Sequence, residues 1–397
     1  MKQWAWLVVL ALAASTPAWC AKKITVAELK EMLATMHKDG KSDDDVAAAL
    51  KQVELSEQLT RATMNNMVGD VPGQRSTEQI YVLEAKSAML PPPASDIPTA
   101  AAPDAAAQKA MLDKAADYVS KTYAQLPGLT ATKTTLRFQD NVEAAAASSG
   151  MQGGASEVTV GSGFVNPYQF IHYINSTDTQ IASEHGAEKA PSEKDKTPWG
   201  ANKMIALEEP NPSLSTVFEE AQAAGTLKWL RWELLNGKQV GVYSFEVPKK
   251  KAHMAVNVCC FPDVEQAGRV NFSSASTGAL TGGSGGATGN FQTATNWHNY
   301  KTNTPYHGEF FVDPDTGVIV RMITMAELKP SDVVHQVDTR VDYGPVTISG
   351  KPLVLPVKTV VVTEVVPNGD SGSAGKFSTR TTLFTSEYKN YAPGGGK

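Results

Sequence analysis

Apolar positions change their period once along this chain, near residue 129. From 24 to 90 they recur at three- and four-residue spacing in short blocks, as amphipathic helices require. Thr25 followed by Glu28 is a capping box, in which each side chain satisfies a free backbone N–H at the helix start. Val26, Leu29, Leu33 and Met36 then share a face, and Gly40 supplies a left-handed stop. Ser42 with Asp45 opens a second helix carrying Val46, Leu50 and Val53. A third is expected around Leu55, Leu59 and Met67, and Ser76 with Gln79 predicts the start of a fourth through Ile80 and Leu83. Each helix is too short to persist alone, so the four must pack together or against the rest.

Pro91-Pro92-Pro93 ends this block, and the Pro- and Ala-rich residues 91–107 read as a semi-rigid linker. A further helix over roughly 104–125 carries Met111, Leu112, Ala115, Tyr118 and Val119 at helical spacing and stops before Pro127-Gly128. Beyond Leu129 the alternation is strand-like. Strands are predicted at Thr132–Phe138, Pro167–Asn175, Thr226–Leu235, Gln239–Val247, His253–Phe261, Tyr306–Val312, Val318–Met325, Val334–Tyr343, Leu353–Val366 and Phe377–Tyr388. Asn236-Gly237 is the turn of a two-residue hairpin, and Asp313–Gly317 turns another pair. Successive hairpins imply an antiparallel sheet.

The expected class is therefore α+β: a short-helix region, then a large curved antiparallel sheet resembling a half-barrel, with one inserted helix at about Ser213–Ala224. The organisation is 1–20 signal peptide, 21–90 helical module, 91–107 linker, 108–391 helix plus antiparallel β domain, and 392–397 tail. In strand 353–366, Leu353, Leu355, Val357, Val361 and Val365 are expected on the inner face, with Lys358 and Glu364 toward solvent. Arg321 interrupts the next pattern, sharing a face with Ile319 and Ile323.

The N-terminus adds an address. Lys2 precedes the apolar run Leu7–Ala14, and small residues follow, which describes a secretory signal peptide. That run is well short of the roughly 20 apolar residues that span a bilayer. Cleavage is expected after Ala18 or after Cys20; the large Trp19 disfavours a lipid-modified Cys20. The mature chain is expected without a transmembrane span, in the periplasm or outside the cell.

Composition only excludes. Of 397 residues, 42% are apolar and 19% charged, a globular rather than a disordered balance. The formal charge is −5 with no basic stretch, so nucleic acid is not an expected partner. Gly369-Asp370-Ser371-Gly372 imitates a serine-protease nucleophile, but the histidine signature of that chemistry is missing. Gly282–Gly286 matches a nucleophile elbow in letters while lacking its flanking strand and helix. Asp315-Thr316-Gly317 and Asp370-Ser371-Gly372 follow Pro314 and Gly369, which is turn chemistry rather than a buried aspartate dyad. His298 and His307 lack the companions of a zinc site. No metal, cofactor or catalytic residue is expected.

Two features remain. Cys259 and Cys260 are adjacent, and they read as two reduced thiols, a strained vicinal disulfide or an intermolecular bond. The aromatics Trp229, Trp232, Tyr243, Phe245, Phe310 and Phe311 either fill the space between sheet and helix or line a ligand groove.

Ser215-Thr216-Val217-Phe218 leading to Leu227–Glu233, together with Val242–Pro248, Val258–Cys260, Tyr306–Asp313, Asp342–Gly350 and Leu55–Leu59, resembles a family of uncharacterised secreted bacterial proteins. The β-rich half is similar in pattern to periplasmic lipoprotein-carrier proteins, whose open half-barrel holds acyl chains. At Leu355 the chain has no cysteine before the proline and departs from the first family, so no familial disulfide is carried over to Cys259 or Cys260. The leading expectation is an exported, non-enzymatic envelope protein. It would bind a lipid or acyl chain through Trp229, Trp232, Tyr243, Phe245 and Val357. A structural or protein-interaction module docking on an envelope protein through the N-terminal helices is the second reading, and a hydrolase the third.

Overall fold

The computed structural model describes residues 22–140, 171–189, 212–253, 255–262, 297–329, 332, 334–365 and 380–394. Residues 1–20, expected above to be a signal peptide, and the glycine-containing strings 282–286 and 369–372 lie outside the described residues.

Local capping works as its chemistry requires. After strand β1 (Lys22–Ile24), the Glu28 N–H donates to Thr25 Oγ1 at 3.2 Å and the Thr25 N–H donates to Glu28 Oε2 at 2.7 Å, starting helix α1 (Val26–Lys38). Gly40 follows it at φ +62°, the left-handed conformation expected of a stop. Ser42 and Asp45 form the same reciprocal cap on α2 (Asp43–Lys51).

Two helix expectations are corrected. Val53–Leu55 is strand β2, paired in parallel with β1, because Val53 and Leu55 point into the core while Glu54 points out. Only Arg61–Met67 of the expected third helix forms, as α3. Helix α4 (Gln74–Lys86) starts at Gly73, upstream of Ser76, and both Ser76 and Gln79 are buried within it. Its cap comes from another helix: Asp43 accepts from the Arg75 N–H at 3.0 Å and the Ser76 N–H at 2.9 Å. Hydrogen bonds to the Ser76 hydroxyl and N–H hold the Asp43 carboxyl below its usual range. Asp43→Ala is therefore expected to lower stability by removing the cap of α4. Chemical denaturation reads this as a lower midpoint, and an unchanged midpoint would mean that water replaces the cap.

The module has its own core. Leu29, Leu33, Val46, Leu50, Leu59, Met64, Met67 and Ile80 meet there, all essentially excluded from solvent.

After residues 91–104 comes α5 (Ala105–Lys121), capped by Asp104, whose carboxylate accepts from the Ala107 N–H at 2.8 Å. The strands follow: β3 (Leu129–Gln139), β4 (His172–Glu184) and β5 (Ala187–Glu188), then α6 (Leu214–Ala224), ended by Gly225 at φ +70°. Next come β6 (Lys228–Leu235), β7 (Lys238–Val247), β8 (Ala255–Pro262), β9 (Trp297–Asn303) and β10 (Tyr306–Val312). Last are β11 (Ile319–Ala326), β12 (Val334–Ile348), β13 (Lys351–Val365) and β14 (Arg380–Pro393). The β6–β7 turn has Asn236 at φ +52° and Gly237 at φ +78°, as the two-residue hairpin demands.

The class is α+β. Ten antiparallel strands form one open sheet in the order β5-β4-β3-β14-β13-β12-β11-β10-β7-β6, and β8–β9 is a separate pair. Chain order is kept except that β14 inserts between β3 and β13, and β7 pairs directly with β10. Both broad faces of the sheet carry helices. On one, α5 and α6 bury Tyr243, Phe245, Phe310, Val312, Met322, Val341 and Leu355. On the other, α4 and the turn after it place Val82, Ala85, Ala88 and Met89 against Phe138, Val360, Val362 and Leu383. The N-terminal module thus occupies the face on which solvent was expected.

Docking of the module and irregularities within the sheet account for the departures in side-chain direction. Lys358, expected in solvent, is 13% exposed and ion-paired to Glu84 of α4. Val357 is the extra residue at a register shift between β12 and β13, and its methyls occupy the space that a side chain at Gly344 would need. A second shift, at Phe311/Val312, separates Ile319, which joins the α5/α6 core, from Arg321 and Ile323 on the module side.

Candidate functional site

The aromatic positions singled out in the sequence lie mostly together. Trp229 stands edge-on to Trp232, with ring centroids 4.7 Å apart, and to Tyr243 at 5.4 Å. Phe245 stacks on Phe310 at 4.5 Å and 25°, and Phe218 of α6 tilts against Phe310 at 5.2 Å. The Tyr243 hydroxyl donates to Gln108 O at 3.0 Å, and burial pushes its pKa up to about 12. Trp232 Nε1–H donates to Ala101 O at 2.9 Å, tying the stretch after the three prolines to β6. Val357 lies apart from this cluster, at the β12–β13 shift. Cys259 and Cys260 sit in β8, and their side chains lie outside the described residues.

At the far end of the same core, Tyr123, Tyr343, Tyr388 and Tyr391 line a crevice of about 20 Å³, bounded outside by Gly186 and Pro212. The Tyr123 hydroxyl donates to Gly186 O and that of Tyr391 to Pro356 O. Beside them Lys133 pairs with Glu188 at 3.0 Å. At the margin of the helix-covered face, Glu220 accepts from the Tyr306 hydroxyl at 2.6 Å.

The opposite face carries a second arrangement, charged rather than aromatic. Arg231 of β6 pairs with Glu233 at 2.6 Å and with Glu309 of β10 at 3.0 Å. Arg321 of β11 and Arg340 of β12 share the carboxylate of Asp342, at 2.6 and 2.8 Å. Arg340 also donates to Ala88 O at the end of the module, and Arg61 joins Lys358 on Glu84. The guanidiniums of Arg321 and Arg231 lie over the Phe311 ring at 5.2 and 6.0 Å. Between this band and residues Met89–Pro92 is a cavity of about 140 Å³.

Electrostatics differ along the band. Burial raises the Glu233 carboxyl above its usual range, against the pull of Arg231. Burial acts on Asp342 in the same sense, but Arg321 and Arg340 outweigh it and hold that carboxyl well below the ordinary value. Asp338, likewise buried, is raised. A raised carboxyl binds its proton more tightly in the folded chain, so its contribution to stability grows as pH falls from its folded value toward about 4. A depressed one contributes fully above about 4 and is lost as pH falls through its folded value. The urea midpoint is therefore expected to rise as acidification from neutrality approaches about pH 4 and to fall below it. Glu233→Gln should shrink the rise, and adding Asp338→Asn should remove it. A midpoint that only falls from pH 7 downward would contradict this assignment.

These charges were largely missed in the sequence. Their one signal was Arg321, a cation placed among apolar strand positions. Asp313, in the turn string, accepts from the N–H groups of Asp315 and Thr316, a hydrogen-bonded turn as its neighbours imply. His307 faces Glu327 at 3.3 Å, and among the described residues no group of three or more His, Cys, Asp or Glu converges as a metal site. Among those residues only Val68, Ile97 and Leu230 are large apolar side chains left exposed, and no helix is long and apolar enough to cross a membrane. No family model, curated protein or solved structure matches the chain, so the resemblance drawn above rests on its segments alone and function is argued from the chain's own chemistry.

Proposed function

We propose that this is an exported, non-enzymatic envelope protein that holds an apolar chain, such as a lipid acyl chain, between its sheet and helices α5 and α6. One observation carries the reading. An open antiparallel sheet presents a continuous apolar and aromatic face, from Tyr243 and Phe245 to Tyr343 and Leu355, which among the described residues is covered by helices α5 and α6. The ion pairs of the sheet concentrate on the other face. An acyl chain that displaced part of α5 or α6 would exchange one apolar contact for another. Each buried methylene contributes about 0.8 kcal/mol, so a partly enclosed chain binds measurably. The tyrosine crevice, continuous with this core at Tyr123 and Tyr343, is where such a chain would enter.

Titration with a fluorescent fatty acid tests the reading. The expected result is one saturable site, with quenching of tryptophan emission from Trp229 and Trp232 and faster proteolysis at the ends of α6 in the loaded protein. Native mass spectrometry of protein purified from its own envelope should show a co-purified lipid. Absence of saturable binding overturns the carrier role.

A further inference from the structure

The cavity on the charged face contains two half-used ionic groups. Arg321 is 4% exposed, and its Nε–H donates to Asp342 Oδ1 at 2.6 Å. Among the described residues no acceptor meets its Nη1 and Nη2 groups, yet neither atom is sealed in apolar packing, because Arg321 lines the cavity. Glu233 is 2% exposed, and its Oε2 takes both hydrogen bonds from Arg231, at 3.0 and 2.6 Å. Its Oε1 has no donor among the described residues and is likewise not sealed. Glu309, by contrast, has both oxygens engaged by Arg231. Arg321 and Glu233 do not pair with each other across the cavity.

Both open groups face the cavity, so whatever fills it, water or a ligand, is what satisfies them. Arg231 and Arg321 are balanced by Glu233 and Glu309, which makes the ionic lining neutral as a whole. A simple anion would meet the two carboxylates, and a simple cation the two guanidiniums. A molecule bearing both charges suits the two open groups at once. The remaining wall is mostly apolar, with Leu90, Phe311, Ile323 and Met325, and carries one uncharged polar side chain, Gln58, whose amide N–H donates to Ala88 O. Cavities of about 150 Å³ hold a molecule the size of benzene, so a space of about 140 Å³ takes a small aliphatic side chain.

From this geometry we propose that the cavity beneath Met89–Pro92 binds a small zwitterion of the α-amino-acid class. Its carboxylate lies on the Nη groups of Arg321, its ammonium on Glu233 Oε1, and its apolar side chain against Ile323 and Met325. The planar guanidinium is suited to a carboxylate. This site is on the face opposite the acyl-chain face, so either stands or falls without the other.

Isothermal titration calorimetry of the full mature protein decides it. The probes are L-valine, L-leucine and L-methionine, with isovalerate and isobutylamine as analogues lacking the amine or the carboxylate. At least one amino acid should bind saturably and ten-fold or more tighter than either analogue. Glu233→Gln, nearly isosteric, should weaken that amino acid ten-fold or more while leaving isovalerate unchanged. Met325→Trp fills the cavity from its apolar wall without touching a charge, and should abolish binding in a protein whose circular dichroism is native. Saturable heat from none of the three amino acids means that the cavity holds water only, and overturns the proposal. Binding of isovalerate as tight as the amino acid does so as well, as does full affinity in a folded Glu233→Gln or Met325→Trp protein.

Discussion

Replacing Asp342 by alanine is expected to destabilise the protein by about 3–5 kcal/mol, among the largest effects of any single polar substitution in this chain. Its carboxylate is the common acceptor for Arg321 and Arg340, whose side chains are 5% and 10% exposed. Without it, two guanidiniums remain buried and uncompensated. The pair itself need not stabilise the fold relative to an apolar core, because desolvating three charges offsets much of their attraction. The penalty comes from removing only one side of the arrangement. Arg321→Met combined with Asp342→Ala should therefore cost less than Asp342→Ala alone. Urea denaturation measures both through the midpoint at unchanged slope. A loss below about 1 kcal/mol for Asp342→Ala would mean that water reaches the arginines and that the module is loosely docked.

Phe310→Ala should cost a similar amount, about 3–5 kcal/mol, by a different route. Phe310 is fully buried, stacked on Phe245 and tilted against Phe218 of α6. Truncation removes its transfer free energy and leaves a void between sheet and helix that the strand backbone is too constrained to close. Leu230→Ala is the matched control, since Leu230 lies on edge strand β6 and is 45% exposed. A change within about 0.5 kcal/mol is expected there. Thermal and urea unfolding distinguish the two. Equal losses at Phe310 and Leu230 would indicate that the face under α6 is not packed as described.

Local features were legible because their causes are local. Thr25–Glu28 and Ser42–Asp45 cap their helices through atoms three residues apart, and Asn236-Gly237 adopts positive φ whatever surrounds it. Tyr306–Val312 is a strand over the expected residues, with Phe310, Phe311 and Val312 all buried because both faces of the sheet are covered. Failures came where a distant segment intervened. Ser76 looks like a cap, but Asp43 of another helix supplies that bond. Val53–Leu55 continues a helical pattern in letters until β1 offers it a strand partner. Strand β4 extends to Glu184, far past the expected Asn175, because β3 provides a ladder for its polar second half.

The candidate sites divide in the same way. The aromatic cluster at Trp229, Tyr243 and Phe245 was visible, since large apolar residues on neighbouring strands meet once the hairpin forms. The charged cavity was not, because it is assembled from β6, β10, β11 and the turn after α4. Alternation along one strand says which residues share a face, but it does not say what covers that face. The sequence by itself determined the caps of α1 and α2, the β6–β7 hairpin turn, the α+β class and an antiparallel sheet. Only the tertiary structure decided that β14 lies beside β3, that two register shifts redirect Val357 and Ile319, and that the N-terminal module docks on the polar face. Burial of Arg321, Glu233 and Lys358 follows from that docking, and desolvation by a remote element leaves no mark in the local pattern of residues.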